Sequence, residues 1–155
     1  MRQRIYIDTS VIGGVYDIEF EEWSKKLVEE FKKGLKIAVL SDVTLLELAN
    51  APEKVQNLLD EIPSEYIEFI VLTDEARDLA DKYIVANAIT EKSYEDALHI
   101  AIATIDKVEI LASWNFKHIV NIERIRRYNA VNLSNGYSIL EIRSPREILK
   151  PEDNE

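Results

Sequence analysis

Short apolar runs of strand length alternate with helical segments along the chain, and that alternation constrains its fold more than any other feature. The runs are Ile5 to Ile7, Lys36 to Leu40, "YIEFIVL", Val108 to Ala112 and "SILEI". Between them, Glu21 to Lys33 spaces Trp23, Leu27, Val28 and Phe31 on one helical face, with Gly34 as the C-cap. Ser41 or Thr44 caps a helix carrying "LLELAN", and Pro52 suits the first turn of "PEKVQNLLDEI". Thr73 opens "DEARDLADKYIVANAI", "SYEDALHIAIATI" follows almost at once, and a further helix starts near Asn121. Strands joined through helices pair in parallel, because parallel neighbours need crossovers and the crossover helices then cover both faces of the sheet. The expected class is α/β, with a single domain over residues 1–144 and a charged, partly disordered tail over residues 145–155.

In open parallel sheets, ligands sit outside the carboxyl ends of the strands. Asp8 ends the first strand, "SWN" follows the fourth, and the helix of Glu47 starts beside the end of the second. Three distant stretches of chain are therefore expected to meet at one edge.

Composition limits the chemistry available there. A chain of 155 residues, 46% of them hydrophobic, buries one substantial core and has no run approaching the roughly 18 apolar residues of a membrane span. The N-terminus shows no secretory signal, so a cytoplasmic protein without membrane attachment is expected. Cysteine is absent, so a metal would be held by oxygen or imidazole ligands. Asp and Glu outnumber Lys and Arg by 29 to 19, a net charge of −10 that opposes the approach of a polyanion. Lys117, His118, Arg124, Arg126 and Arg127 nevertheless concentrate positive charge in one segment, as a phosphate contact or as a solvated helix face.

Each acid at the expected edge has an ordinary explanation. Asp8 can cap the helix after its strand. Glu47, among Leu45, Leu46, Leu48 and Ala49, continues an apolar face and needs a salt-bridge partner if it is buried. Asp96 forms an S-x-x-D capping box with Ser93, at the mouth of a helix that is apolar on nearly every side. His99 lies one turn further on and reads as a packed or supporting histidine, having no partner at metal spacing. If the three acids converge, their repulsion raises at least one pKa unless a cation compensates, and an all-oxygen site suits Mg²⁺ or Mn²⁺. The hydroxyl of Ser10 or Thr9 would then orient Asp8 or a metal-bound water.

In order, "YIDTSVI", "LLELAN", "YEDALHIAIAT" and "ILASWNFKHI" resemble the PIN-domain family, whose best-known members are VapC-like ribonuclease toxins. The resemblance spans about residues 5–120. It implies a three-layer α/β sandwich, with a mostly parallel sheet of four to five strands flanked by helices. It also implies a Mg²⁺- or Mn²⁺-dependent ribonuclease with Asp8, Glu47 and Asp96 as catalytic metal ligands, supported by Ser10, Thr9, Asn115 and His99. Lys117, Arg124, Arg126 and Arg127 are the expected RNA contacts, and a homodimer restrained by a small antitoxin is the expected assembly. The chain departs from the family pattern after the fourth strand, where Asn115 and Lys117 occupy positions that often carry acids. Asn115 can still ligate through its carbonyl oxygen, and three carboxylates match one divalent ion better than two.

Two other readings compete. A catalytically silent PIN-like module that binds RNA or protein is consistent with Asn115, Lys117 and the acidic surface. A receiver-like or phosphatase protein with Asp8 as phosphate acceptor has little support, since Ser10 stands where a dehalogenase-type loop carries its second Asp.

Overall fold

Strand alternation decides how the layers form. In β1 (Gln3–Ile7), Ile5 and Ile7 point to one side of the sheet and Tyr6 to the other. In β2 (Lys36–Ser41), Ala38 and Leu40 share the side of Ile5, while Ile37 and Val39 share that of Tyr6. Both faces are apolar, as a doubly covered parallel sheet requires. The computed structural model describes residues 2–149.

The sheet has five strands in the order β3-β2-β1-β4-β5, with β3 (Ile67–Ile70), β4 (Ile110–Ala112) and β5 (Glu141–Arg143), and every pairing is parallel. One layer is built by α1 (Thr9–Gly13), α2 (Glu21–Lys32), α3 (Asp42–Ala49) and α4 (Glu53–Leu58), around Leu27, Phe31 and Leu48. The opposite layer comprises α5 (Asp74–Val85), α6 (Tyr94–Ile105) and α7 (Ile122–Ser134), around Leu79, Tyr83, Ile100 and Tyr128. The expected three-layer α/β sandwich is therefore present. No described helix is long and apolar enough to cross a membrane.

Chain direction changes sides at β1. The strands run β1, β2, β3 one way across the sheet and then return to place β4 and β5 on the other side. The crevice between the carboxyl ends of β1 and β4 is thus a topological switch point, the usual ligand position in such sheets.

Several local expectations need correction. α5 ends at Val85 and not near Ile89, because Asn87 takes a left-handed conformation with φ of 60° and turns the chain. Leu45 and Leu46 face solvent, 40% and 69% exposed, so the apolar face of α3 is narrower than its composition implies. Beyond β5 the chain forms a further short helix, α8 (Pro145–Leu149); the rest of the expected charged tail, residues 150–155, lies outside the described residues.

Gly14 permits the closest packing near the switch point. A Cβ there would lie 2.4 Å from Ser24 Oγ and 2.9 Å from Trp114 Nε1. Overpacking of this kind costs about 1–3 kcal/mol. Gly14→Ala is therefore expected to lower unfolding free energy by about that amount and to alter the near-ultraviolet signal of Trp114. Urea unfolding followed by circular dichroism checks both, and an unchanged midpoint would show that Ser24 and Trp114 move aside freely.

Candidate active site

The register places Asp8 beside Ser113. Ile7 pairs with Ala112, so the residues that follow leave adjacent strands side by side. Asp8 is only 6% exposed, and its two oxygens are each held by a hydroxyl. Ser10 Oγ donates to Oδ1 at 2.6 Å, and Ser113 Oγ donates to Oδ2 at 2.6 Å. Asp8 makes no side-chain cap to α1, so the capping explanation of this acid does not hold.

Glu47 sits on α3, one turn inside the helix. Thr9 Oγ1 donates to its Oε1 at 2.9 Å, so Thr9 orients Glu47 and leaves Asp8 to Ser10. His99 Nε2 lies 2.9 Å from the same Glu47 oxygen, supplying the salt-bridge partner that burial of Glu47 demands. The other ring nitrogen, Nδ1, is 2.6 Å from the Tyr6 hydroxyl, which in turn meets Ser41 Oγ at 2.6 Å. Protonated His99 donates at both nitrogens, and Tyr6 passes its own proton toward Ser41. His99 is buried and behaves as the supporting residue expected.

Asp96 lies in the first turn of α6, and the Ser93 side chain makes no cap there, so no capping box accounts for it. Its Oδ2 accepts a bond of 3.3 Å from Asn115 Nδ2. The carbonyl oxygen of Asn115 points the other way, accepting from the backbone N–H groups of Lys117 and His118 at 3.2 and 2.9 Å. Asn115 thus offers the site a donor, and the expected carbonyl ligand is committed to the turn.

The acids feel one another. Burial raises the Asp8 carboxyl, the His99 charge and the Ser10 and Ser113 hydroxyls oppose this, and Glu47 adds to it. Burial also raises Asp96, to about 6; His99 opposes the rise, and the charges of Asp8, Glu47 and Glu95 increase it. For Glu47 burial acts upward, but the hydrogen bond and charge of His99, with the Thr9 bond, leave it below its ordinary value. His99 moves upward despite burial, under Tyr6, Glu47 and Asp8.

Among the described residues, no group of three or more His, Asp or Glu side chains is arranged as a ready-made metal cage. The donor chemistry nevertheless fits a hard divalent cation. It is all carboxylate, two of its acids are held above their ordinary range by burial and mutual repulsion, and a cation would relieve both.

Of the expected RNA contacts, Arg124 and Arg127 are already engaged. Their guanidiniums donate to the carbonyls of Ala88 and Asn87 at 2.7 and 3.3 Å, bracing the turn after α5. Lys117 and Arg126 stand exposed.

The reading of the sequence missed Ser113, Tyr6 and Ser41. Ser113 carried a usable signal, since it follows the strand next to β1 just as Asp8 follows β1. Tyr6 carried a weaker one, as a hydroxyl inside an otherwise aliphatic strand.

The Asp96 shift has a pH signature. Between about 4 and about 6 the folded chain keeps a proton that unfolded Asp96 has released, so this group's contribution to stability falls as pH rises through that window. Asp96→Asn does not titrate, and without divalent metal its melting temperature is expected to gain on that of the wild type across the same window. Melting curves from pH 4 to pH 8 check this; parallel wild-type and variant curves would contradict the coupling.

Comparison with known proteins agrees with the fold. Residues 5–120 match the PIN domain family. No curated protein matches the sequence. The fold is similar to VapBC2 from Rickettsia felis, solved bound to a DNA fragment from its promoter, with 14% identity over 92% of this chain and 98% of that one, and a TM-score of 0.59. It is also similar to VapC20 of Mycobacterium tuberculosis, a Sarcin-Ricin loop cleaving toxin, with 14% identity over 74% of this chain and 92% of that one, and a TM-score of 0.55. FitAcB from Neisseria gonorrhoeae shares 16% identity over 91% of this chain and 97% of that one, at a TM-score of 0.55. At such identities these structures speak for the fold, and the match over residues 5–120 carries the assignment: the chain belongs to the PIN-domain family.

Proposed function

We propose that the chain is a Mg²⁺- or Mn²⁺-dependent endoribonuclease, hydrolysing RNA phosphodiester bonds as the toxin of a cytoplasmic toxin-antitoxin pair. What supports this reading is a run of hydrogen bonds at the β1–β4 switch point: Ser113 donates to Asp8 and accepts from the backbone N–H of Asn115, the Asn115 amide donates to Asp96, and Thr9, next to Asp8, donates to Glu47. Asp8 and Asp96 would hold the ion, with Glu47 joining them directly or through water. A bound divalent ion supplies charge neutralisation at the phosphate and acidifies a coordinated water. Ser10 and Ser113 fix the two oxygens of Asp8, and Thr9 and His99 hold one oxygen of Glu47. Glu47, which His99 holds below its ordinary carboxyl range against the effect of burial, would take a proton from the attacking water.

Lys117 and Arg126 would guide the RNA backbone in an otherwise acidic protein, which predicts weak nonspecific affinity and a selective substrate. A small protein antitoxin is suggested by the VapBC2 complex to which the fold is similar. A homodimer is consistent with exposed Val85 and Leu133 on the adjoining helices α5 and α7.

A silent binding module is the second reading. It is favoured by the absence of a preformed three-ligand group among the described residues and by the amide of Asn115.

Mn²⁺-dependent cleavage of a mixed RNA pool separates the two. Wild type is expected to cleave, and Asp8→Asn and Asp96→Asn to lose about 100-fold or more, the scale of removing a group that stabilises transition-state charge. Binding without cleavage by wild type would establish the silent module, and cleavage unchanged in both variants would place the active site elsewhere.

A further inference from the structure

Beside the carboxylates stands a wall of aromatic rings that hydrolysis alone does not require. Trp114 stacks on Phe20 with ring centroids 4.4 Å apart and planes 16° from parallel. Phe116 meets Trp114 at 6.1 Å and 63°, and Phe20 at 6.4 Å and 51°. Trp114 is fixed at both ends. Its backbone N–H donates to Ser10 Oγ at 2.9 Å, and its indole Nε1–H donates to Ser24 Oγ at 2.8 Å.

The cluster is joined to the acids through single residues. Ser10, which receives the Trp114 amide, donates to Asp8. Asn115, lying between Trp114 and Phe116, donates to Asp96. In sequence, two rings thus flank the loop residue whose amide bonds to Asp96. Trp114 is buried, whereas Phe116 is 49% exposed on this rigid backing. Lys117 follows it and is exposed.

With Phe116 49% exposed, an incoming planar group can reach its ring without displacing Trp114 or Phe20. Nucleobases stack on such rings whatever their identity. Bases inside a duplex already have both faces covered, so only an unpaired base can be received. The position argues for a base over a protein side chain: Phe116 follows Asn115, whose amide bonds to Asp96, and exposed Lys117 comes next with a charge for a neighbouring phosphate.

We propose that Phe116, backed by Trp114 and Phe20, is a base-stacking subsite that receives one unpaired nucleobase beside the phosphodiester facing Asp8 and Asp96. The inference rests on the ribonuclease reading and assigns Phe116 of this chain to the base beside the cut.

Binding is measured by fluorescence anisotropy in an Asp8→Asn background, with Mg²⁺, using a short labelled oligouridylate and the same strand made entirely of abasic nucleotides. Adding Phe116→Ala is expected to weaken oligouridylate binding about tenfold, the effect of removing one stacking ring, while Phe116→Tyr stays within about twofold. The abasic strand is expected to bind equally with and without Phe116. Because Phe116 is half-exposed, melting curves of these variants should coincide; if Phe116→Ala melts early, Phe116→Leu, which keeps bulk without a π face, is expected to show the same tenfold loss. Oligouridylate affinity untouched by either substitution, or an equal loss on the abasic strand, overturns the subsite. So does failure of the parent to bind oligouridylate. Cleavage of the mixed pool distinguishes the two claims: cleavage with no stacking effect sinks the subsite alone, and stacking without cleavage by wild type sinks the nuclease reading alone.

Discussion

Burying the Asp8 carboxylate at the tip of the central strand is the costly step to which the surrounding residues respond. A carboxylate taken out of water needs hydrogen bonds or a compensating charge. β4 answers with Ser113, brought alongside by the Ile7–Ala112 register, and α1 answers with Ser10. Both partners are neutral. They hold the group in place without cancelling its charge, and the Asp8 carboxyl therefore stays above its ordinary range.

Despite burial, Tyr6, Glu47 and Asp8 push His99 toward its protonated form, and it favours one acid over the others. Its ring is clamped between Tyr6 and Glu47, so its charge is spent mainly on Glu47, while Asp8 and Asp96 remain raised. This arrangement accounts for the lack of a three-acid group among the described residues. Glu47 is drawn toward His99, and Asp96 is satisfied in part by the amide nitrogen of Asn115. An acid at position 115 would repel Asp96 where Asn115 bonds to it. The same side chain makes the turn to Lys117 and His118, a role that Asn and Asp perform equally well.

The layers were legible in the sequence because their cause is local. Apolar runs such as "KIAVL" and helices such as Glu21–Lys32 follow from periodicity, and crossovers between strands dictate parallel pairing. Gly34, with φ of 73°, ends α2 as its position suggests. The candidate site was legible in its acids but not in their partners. Ser93 and Asp96 have the spacing of a capping box, yet that spacing does not determine where the side chains turn, and tertiary contacts claimed Asp96 instead. The pairing of Glu47 with His99 joins positions 52 residues apart, and the basic segment at α7 proved half structural because Arg124 and Arg127 reach carbonyls in a different loop. Such long-range choices leave no periodic trace.

A net charge of −10 would ordinarily argue against an RNA substrate. Asp8, Glu47 and Asp96 are three of the chain's 29 acids, and a divalent ion would offset the charge they bring to the crevice. We propose that Asp8 and Asp96 are two ligands of one such ion. Crystals soaked in Mn²⁺ should show, by anomalous scattering, a single strong peak bonded to carboxylate oxygens of both residues at the β1–β4 crevice; a fully soaked crystal with no peak there, or with manganese bound only elsewhere, would refute the shared site.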